Sequence, residues 1–352
     1  MASPIVDPAA ASCPLPHSRH ERVMLAHGGG GKMTADLIQR IFLPAFGNEI
    51  LNSLEDQATL ELEGRLAFTT DAFIVRPLFF PGGDIGKLAV YGTVNDLAVG
   101  GAIPQCLSAA FILEEGTPIA LVAQIAASMR QACERAKVQL VAGDTKVVDR
   151  GKGDQVFITT SGIGRVPAGR NLSIRQIRPG DQVLLSGPMG DHGVAVMSVR
   201  EGLEFETELA SDAAPLTELT ELMLATCPAI RWMRDPTRGG VATALNEAAV
   251  AAQVGIRILE GNLPVRPAVR AACEMLGLDP LYVANEGKLV AVVPPEEADR
   301  VLAAMRRHPL GSEAARIGEV VAEHPGIVSM KSLIGGERIV PLLSGEQLPR
   351  IC

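Results

Sequence analysis

From Leu66 onward the chain alternates apolar runs of strand length with amphipathic runs of helical period, and this alternation admits few folds. Strands interleaved with helices build layered α/β sheets. "LAFTTDAFIV", "LSAAFIL", "VQLVAGDTKVV" and "QVFITTSGIGRV" read as strands, the first carrying Asp71 inside it. Between them "GKLAVYGTVNDLAVGG" sets Tyr91, Val94, Leu97 and Ala98 at helical spacing and closes on Gly100. "TPIALVAQIAASMRQACERAKV" aligns Val122, Ile125, Met129, Ala132 and Ala136 on one face, with Thr117 as the expected cap and Pro118 in the first turn.

Pro179 and Gly180 punctuate the pattern, which then resumes. Helices are predicted over 215–226 and from "DPTRGGVATALNEAA", where Val241, Leu245, Ala248 and Ala252 share a core face, and again at "RPAVRAACEMLG" and "PEEADRVLAAMRRH". "GIRIL", "LVAVV", "RIGEVV", "IVSM" and "RIV" supply strands among them. With 352 residues the chain exceeds one ordinary core, so two layered α/β domains are expected. The expected organisation is a leader with a Gly-rich loop at 1–44, an N-terminal domain at 45–167, a C-terminal domain at 168–340 and a mobile tail at 341–352. Aromatic residues make up only 3%, so Ala, Val, Leu and Ile must do the packing.

Charge and composition exclude several function classes. The net charge of −8 comes without a basic cluster, which argues against a nucleic-acid partner. No run approaches the length of a membrane span, and the opening residues lack the apolar core of a secretion signal, so no membrane contact and a cytoplasmic location are expected. The six cysteines, at 13, 106, 133, 227, 273 and 352, show no metal spacing. The inner four read as buried small hydrophobes, and only Cys13 and Cys352 stand where solvent reaches them. A thiol as last residue is an oxidation liability, so Cys352 is either incidental or the place where chemistry is done.

"HGGGGK" offers backbone N–H groups from Gly28, Gly29, Gly30 and Gly31 and a charge from Lys32, as a phosphate loop would. It is not a Walker loop, since Ala26 stands where Gly is required and Met33 where Ser or Thr would hold magnesium; a flexible linker is the alternative. Asp56, Asp71, Asp96, Asp144 and Asp235 each lie in apolar or Gly-rich settings, where a carboxylate needs a cation, a cap role or exposure. Asp235 could serve as a turn or cap residue; Asp71, in mid-strand, could not. Hard oxygen ligands beside a cationic Gly loop suggest magnesium with a nucleoside triphosphate. Lys146 at a strand end and Glu286 in "VANEGK" read either as functional groups or as surface charge. His192 in "MGDHG" either touches a ligand or ends a turn.

Taken together, "HGGGGK", "TTDAF", "VNDLAVGGA", "AGDTKVV", "SGPMGDHGVAV", "DPTRGGVATALNE", "ANEGKLV" and the final "LPRIC" resemble the hydrogenase-maturation HypE family, a branch of the ATP-binding superfamily of aminoimidazole ribonucleotide synthetase, selenophosphate synthetase and thiamine-monophosphate kinase. The resemblance runs from about His27 to Cys352. It implies a two-domain synthetase-like fold whose N-terminal domains pair through their sheets in a homodimer. It implies an ATP- and Mg2+-dependent dehydratase: a partner carbamoyltransferase loads Cys352, the thiocarboxamide becomes a thiocyanate, and the cyano group passes to an iron-carrying scaffold complex. By the same resemblance Glu286 is the base and Lys146 either its cationic neighbour or a stabiliser of the carbamoyl oxygen. Asp56, Asp71, Asp96 and Asp235 are the metal candidates, and Gly28 to Gly31, Lys32, Asp71, Asp96 and Asp144 the nucleotide candidates.

Overall fold

Residues 20–202, 209–343 and 350–352 are described by the computed structural model. Two mixed sheets organise them. In the N-terminal domain β1 (Arg65–Phe73), β4 (Ile103–Glu114), β5 (Gln139–Val148) and β6 (Val156–Val166) form a sheet of order β1-β6-β4-β5. The β4–β5 pair is parallel and the others antiparallel, as α4 (Ile119–Ala136) crosses over between β4 and β5. A small hairpin of β2 (Phe79–Phe80) and β3 (Gly83–Asp84) leads into α3 (Ile85–Val99).

The N-terminal sheet is covered on one face only. Helix α3 packs against β1 and β6, with α4 beside it and the C-terminal domain's α6 (Thr217–Thr226) behind it. This surround explains why α3 is apolar on most sides and has no solvated polar face, its Asn95 and Asp96 being turned to specific partners. Asp84 starts the helix by accepting from the Gly86 and Lys87 amides. On the opposite face of the sheet Leu66, Phe68 and Ile112 point outward, Phe68 being 71% exposed.

The expected cap of α4 is corrected: Pro118 occupies the N-cap position, and the Thr117 hydroxyl donates instead to the Gln155 carbonyl at 3.2 Å. The apolar segment after the Gly loop is helical, α1 (Lys32–Leu37) and α2 (Leu43–Phe46) being joined by one π-helical turn over Ile38–Phe42. Phe42 and Phe46 lie on one side of that turn, and the Phe42 ring sits 4.8 Å from Phe111 of β4.

The C-terminal sheet has the order β13-β12-β9-β11-β7-β10-β8. Its strands are β7 (Gln182–Leu185), β8 (Trp232–Arg234), β9 (Gly255–Leu259), β10 (Val290–Val293), β11 (Ala315–Val321), β12 (Val328–Lys331) and β13 (Glu337–Ile339). Both faces of its centre are buried, so β7 and β10 read as continuous apolar runs. Helices α6 and α9 (Ala298–Arg306) cover one face through Leu219, Met223, Val301 and Met305. Helix α7 (Gly240–Ala252) covers the other through Val241, Leu245 and Ala248. At the side, α5 (Asp191–Glu201) meets α8 (Pro267–Leu276). Cys106, Cys133, Cys227 and Cys273 are buried free thiols, as their apolar contexts predicted; Cys13 lies outside the described residues.

Asn95 of α3 ties the domains together. Its amide donates to the carbonyls of Ala214 and Glu286, at 3.0 and 3.1 Å, and its oxygen accepts from the Leu216 amide at 2.8 Å. A buried amide with three partners fixes one mutual orientation.

Candidate functional site

The strand alternation of β1 aims Asp71 and Thr69 at α3, where Asp96 faces them. Thr69 donates to Asp96 at 2.8 Å, and Asp71 accepts the amide of Ala72. From the other domain come Asp235, just beyond β8, and Glu286, ahead of β10. These four carboxylates are mutually repulsive. Burial raises every one of their pKa values, Asp235 to about 7 and Glu286 well above the usual carboxylate range, and neighbouring carboxylates add to the rise at Asp71, Asp235 and Glu286. Arg238 opposes the rise at Asp71 and Asp96, and Arg234 at Asp96 and Asp235.

Glu286 is only 2% exposed, and among the described residues its Oε1 has no hydrogen-bond partner. Its amide donates to Asp212, whose other oxygen takes the Lys288 ammonium at 3.0 Å. Gly287 makes this possible, because a Cβ there would stand 1.8 Å from the Asp212 carbonyl oxygen. An orphaned buried carboxyl oxygen beside three further acids is a donor set for a hard divalent cation. Among the described residues no three acids converge closely enough to hold an ion unaided, so such a cation must bring oxygens of its own, from phosphate and water.

Apart from this set, a cavity of about 290 Å3 opens between α1, α2 and β5, at the sheet edge opposite β1. The Gly loop forms one wall, with Gly28 so close to β5 that a Cβ would meet the Val147 nitrogen at 2.5 Å. Thr34 fastens the loop, accepting from the Gly30 amide and donating to the Ala26 carbonyl. Phe42, Phe46 and Phe111 give the cavity an apolar end. Asp56, Asp144 and Lys146 line its polar end. Lys146 pairs with Asp144 at 2.8 and 2.9 Å, which lowers the Asp144 pKa. Lys146 and Asp56 thus lie on the cavity wall, whereas the ammonium joined to Glu286 through Asp212 is Lys288. Gly29 and Gly31 lie in the same loop, and Lys32 begins α1.

The final three residues enter the acidic set. The carbonyls of Arg350 and Cys352 accept from the amides of Arg76 and Ile74, each at 3.2 Å, so residues 350–352 run antiparallel to 74–76. Arg200 donates to both the Arg76 and Arg350 carbonyls, and the Arg350 guanidinium pairs with Asp154. Ile351 is 4% exposed and packs in the N-terminal core. Arg350 adopts φ +53°, the left-handed bend that turns the chain inward. The Cys352 thiol lies near Glu286, Asp71, Asp235 and Arg238; burial first and Glu286 next push its pKa far up, so the thiol is protonated at neutral pH.

Sequence reasoning had missed Arg238, Asp212 and Lys288. Arg238 and Lys288 stand inside motifs already singled out, "DPTRGG" and "ANEGK". Asp212 carries no periodic or motif signal.

The AIR synthase related protein family matches this chain twice, its N-terminal domain over 54–166 and its C-terminal domain over 178–331. The carbamoyl dehydratase HypE of Azotobacter vinelandii is 56% identical over 335 residues, 95% of this chain and 98% of the relative. A crystal structure of the hydrogenase maturation protein HypE in complex with ATP superimposes with a TM-score of 0.91 at 48% identity, covering 94% of this chain and 99% of that one. A HypE–HypF complex structure matches with a TM-score of 0.77 at 50% identity, over 87% and 99%.

Proposed function

This chain belongs to the HypE family of carbamoyl dehydratases, enzymes of hydrogenase maturation, and from that premise we propose that it dehydrates a carbamoyl group carried on its own Cys352 sulfur, using ATP, to a thiocyanate. The cavity between the Gly loop and β5 receives the nucleotide, its aromatic end suiting a base and its Gly-rich polar end the phosphates. The relative crystallised with ATP supports a nucleotide here. Asp71, Asp96 and Asp235 would hold magnesium, whereas Asp56 and Asp144 stand apart on the cavity wall, β5 being the sheet edge opposite β1. Magnesium, when bound, supplies the positive charge that lets these carboxylates ionise together and offsets charge on the phosphates.

The chemistry balances as follows. The amide oxygen of S–CO–NH2 attacks the γ-phosphorus, a C–O–P linkage forms, and ADP leaves. One N–H proton is lost in that step. Loss of the second N–H proton then forms C≡N as the C–O bond breaks and phosphate departs with the oxygen. Glu286 is the group placed to take protons: its raised pKa makes it a strong base once ionised, and its orphaned Oε1 is free to accept. Arg238 offers charge to the developing phosphate. Burial holds the site dry, which keeps the imidate-like phosphate from hydrolysis.

The observation that carries this reading is the inward course of residues 350–352, which sets the Cys352 thiol among Glu286, Asp71 and Asp235. A partner carbamoyltransferase loads the sulfur, in keeping with the relative solved with HypF, and an iron-carrying scaffold complex receives the cyano group. Two copies pair through the open N-terminal sheet face around Phe68.

Mass spectrometry tests the reaction. Incubated with carbamoyl phosphate, ATP and a carbamoyltransferase, the C-terminal peptide should gain one carbamoyl group and then lose one water. Glu286→Gln should gain the first mass, bind ATP and stop there; cyanation in that variant removes Glu286 from the base role.

A further inference from the structure

We propose that His192, seated on Ser211, is the positioning residue that registers the carrier sulfur against Glu286, through the single dipeptide Ser211–Asp212. This rests on the reading of Cys352 as carrier.

The hydrogen bonds determine the imidazole's proton. His192 Nε2 lies 2.8 Å from the Ile351 carbonyl, which can only accept, so Nε2 carries the hydrogen. Nδ1, 2.8 Å from Ser211 Oγ, is then the acceptor of the serine hydroxyl. Ser211 Oγ in turn accepts the Ala213 amide. Ser211 Oγ thus donates to Nδ1 and accepts from Ala213, and burial keeps the ring neutral. It is fully buried, and burial lowers its pKa, in keeping with that state. Phe80 meets the ring edge-on with centroids 5.4 Å apart, fixing its plane.

The relay ends where the base begins. Ser211 is anchored by its amide to the Pro81 carbonyl, and the adjacent Asp212 accepts from the Glu286 amide at 3.1 Å while holding Lys288. One dipeptide therefore orients both partners of the reaction: Ser211 through His192 sets the carbonyl one residue before Cys352, and Asp212 sets the backbone of Glu286. Among the described residues, the other grips on the segment are made by Arg200, Asp154 and the backbone of 74–76. A misplacement of about 1 Å between base and substrate can cost about 100-fold in rate, so a common anchor has catalytic value.

His192→Phe keeps the ring and removes the donor; His192→Gln keeps a donor at the Nε2 position. In full-length protein already carbamoylated on Cys352, His192→Phe should slow single-turnover loss of water on ATP addition about tenfold, the effect of one lost hydrogen bond that leaves a buried carbonyl unpaired. Carbamoyl loading, ATP binding and Tm should stay at wild-type levels, and His192→Gln should recover most of the rate. In unloaded protein, iodoacetamide should alkylate Cys352 about tenfold faster in His192→Phe than in wild type or His192→Gln. Wild-type dehydration or alkylation rates in His192→Phe overturn the proposal. If that variant does not fold, Ser211→Ala takes its place, with a smaller rise in alkylation and the same overturning result. Wild-type protein that is loaded but never loses water would refute the carrier reading instead, and the alkylation measurement would still decide the role of His192.

Discussion

Replacing Ile351 by alanine measures how firmly residues 350–352 are held. The side chain is almost fully buried in the N-terminal core, yet it belongs to a three-residue segment whose other contacts are hydrogen bonds to 74–76, Arg200, Asp154 and His192. Removing the three carbons beyond Cβ at about 0.8 kcal/mol each costs about 2 to 3 kcal/mol of burial, before any term for the cavity left behind. The loss falls on docking rather than on the fold, so the ratio of docked to undocked segment should drop about 50-fold. Cys352 alkylation kinetics read that ratio directly, and Tm controls for global effects. Alkylation should accelerate by that order while Tm stays within a degree or so of wild type, and dehydration of loaded protein should slow in parallel. Unchanged alkylation, or a fall in Tm of several degrees, would refute the idea that Ile351 anchors a separately mobile segment.

Three further outcomes are expected. Asp235 has a pKa of about 7 in the fold against 3.8 ordinarily, so in nucleotide-free and metal-free protein the unfolded chain ionises first as pH rises and the fold is penalised from about pH 4, fully by about pH 7. Asp235→Asn should therefore raise stability by up to roughly 4 kcal/mol at neutral pH and by little near pH 4, while losing activity; a gain in Tm that does not grow with pH contradicts the sign worked here. Gly28→Ala forces β5 away from the loop and should weaken ATP binding about tenfold by calorimetry; unchanged affinity would detach the loop from the nucleotide. Phe68→Glu places charge on the open sheet face and should give monomers in sedimentation; a persistent dimer would locate pairing elsewhere.

The fold was legible because its signals are periodic. Helix α4 keeps one apolar face and β1 alternates about Asp71, so both were readable without tertiary information. Thr117 failed as a cap because Gln155, on a distant turn, takes its hydroxyl. The acids were visible as costly residues in apolar settings, but their grouping was not: Asp71 and Asp96 meet Asp235 and Glu286 across the domain interface, to which Asn95 contributes three hydrogen bonds. Lys146 and Lys288 look alike in sequence, and only the folded chain shows that the first pairs with Asp144 and the second with Asp212. The segment ending in Cys352 has no periodic face, so the buried isoleucine and the histidine bond that help to place it left no trace in the pattern.

The left-handed residue at position 350 bears on turnover. A non-glycine side chain pays about 1 kcal/mol to hold that conformation, and it does so only while the bend persists. Release relaxes Arg350, so the inward state carries its own spring. In the proposed carrier cycle the sulfur is reached by a loading enzyme and then surrenders its product, and a grip without such opposition would complete one cycle and stall. On that proposal, backbone geometry two residues away from the sulfur helps to set the rate at which the segment is released.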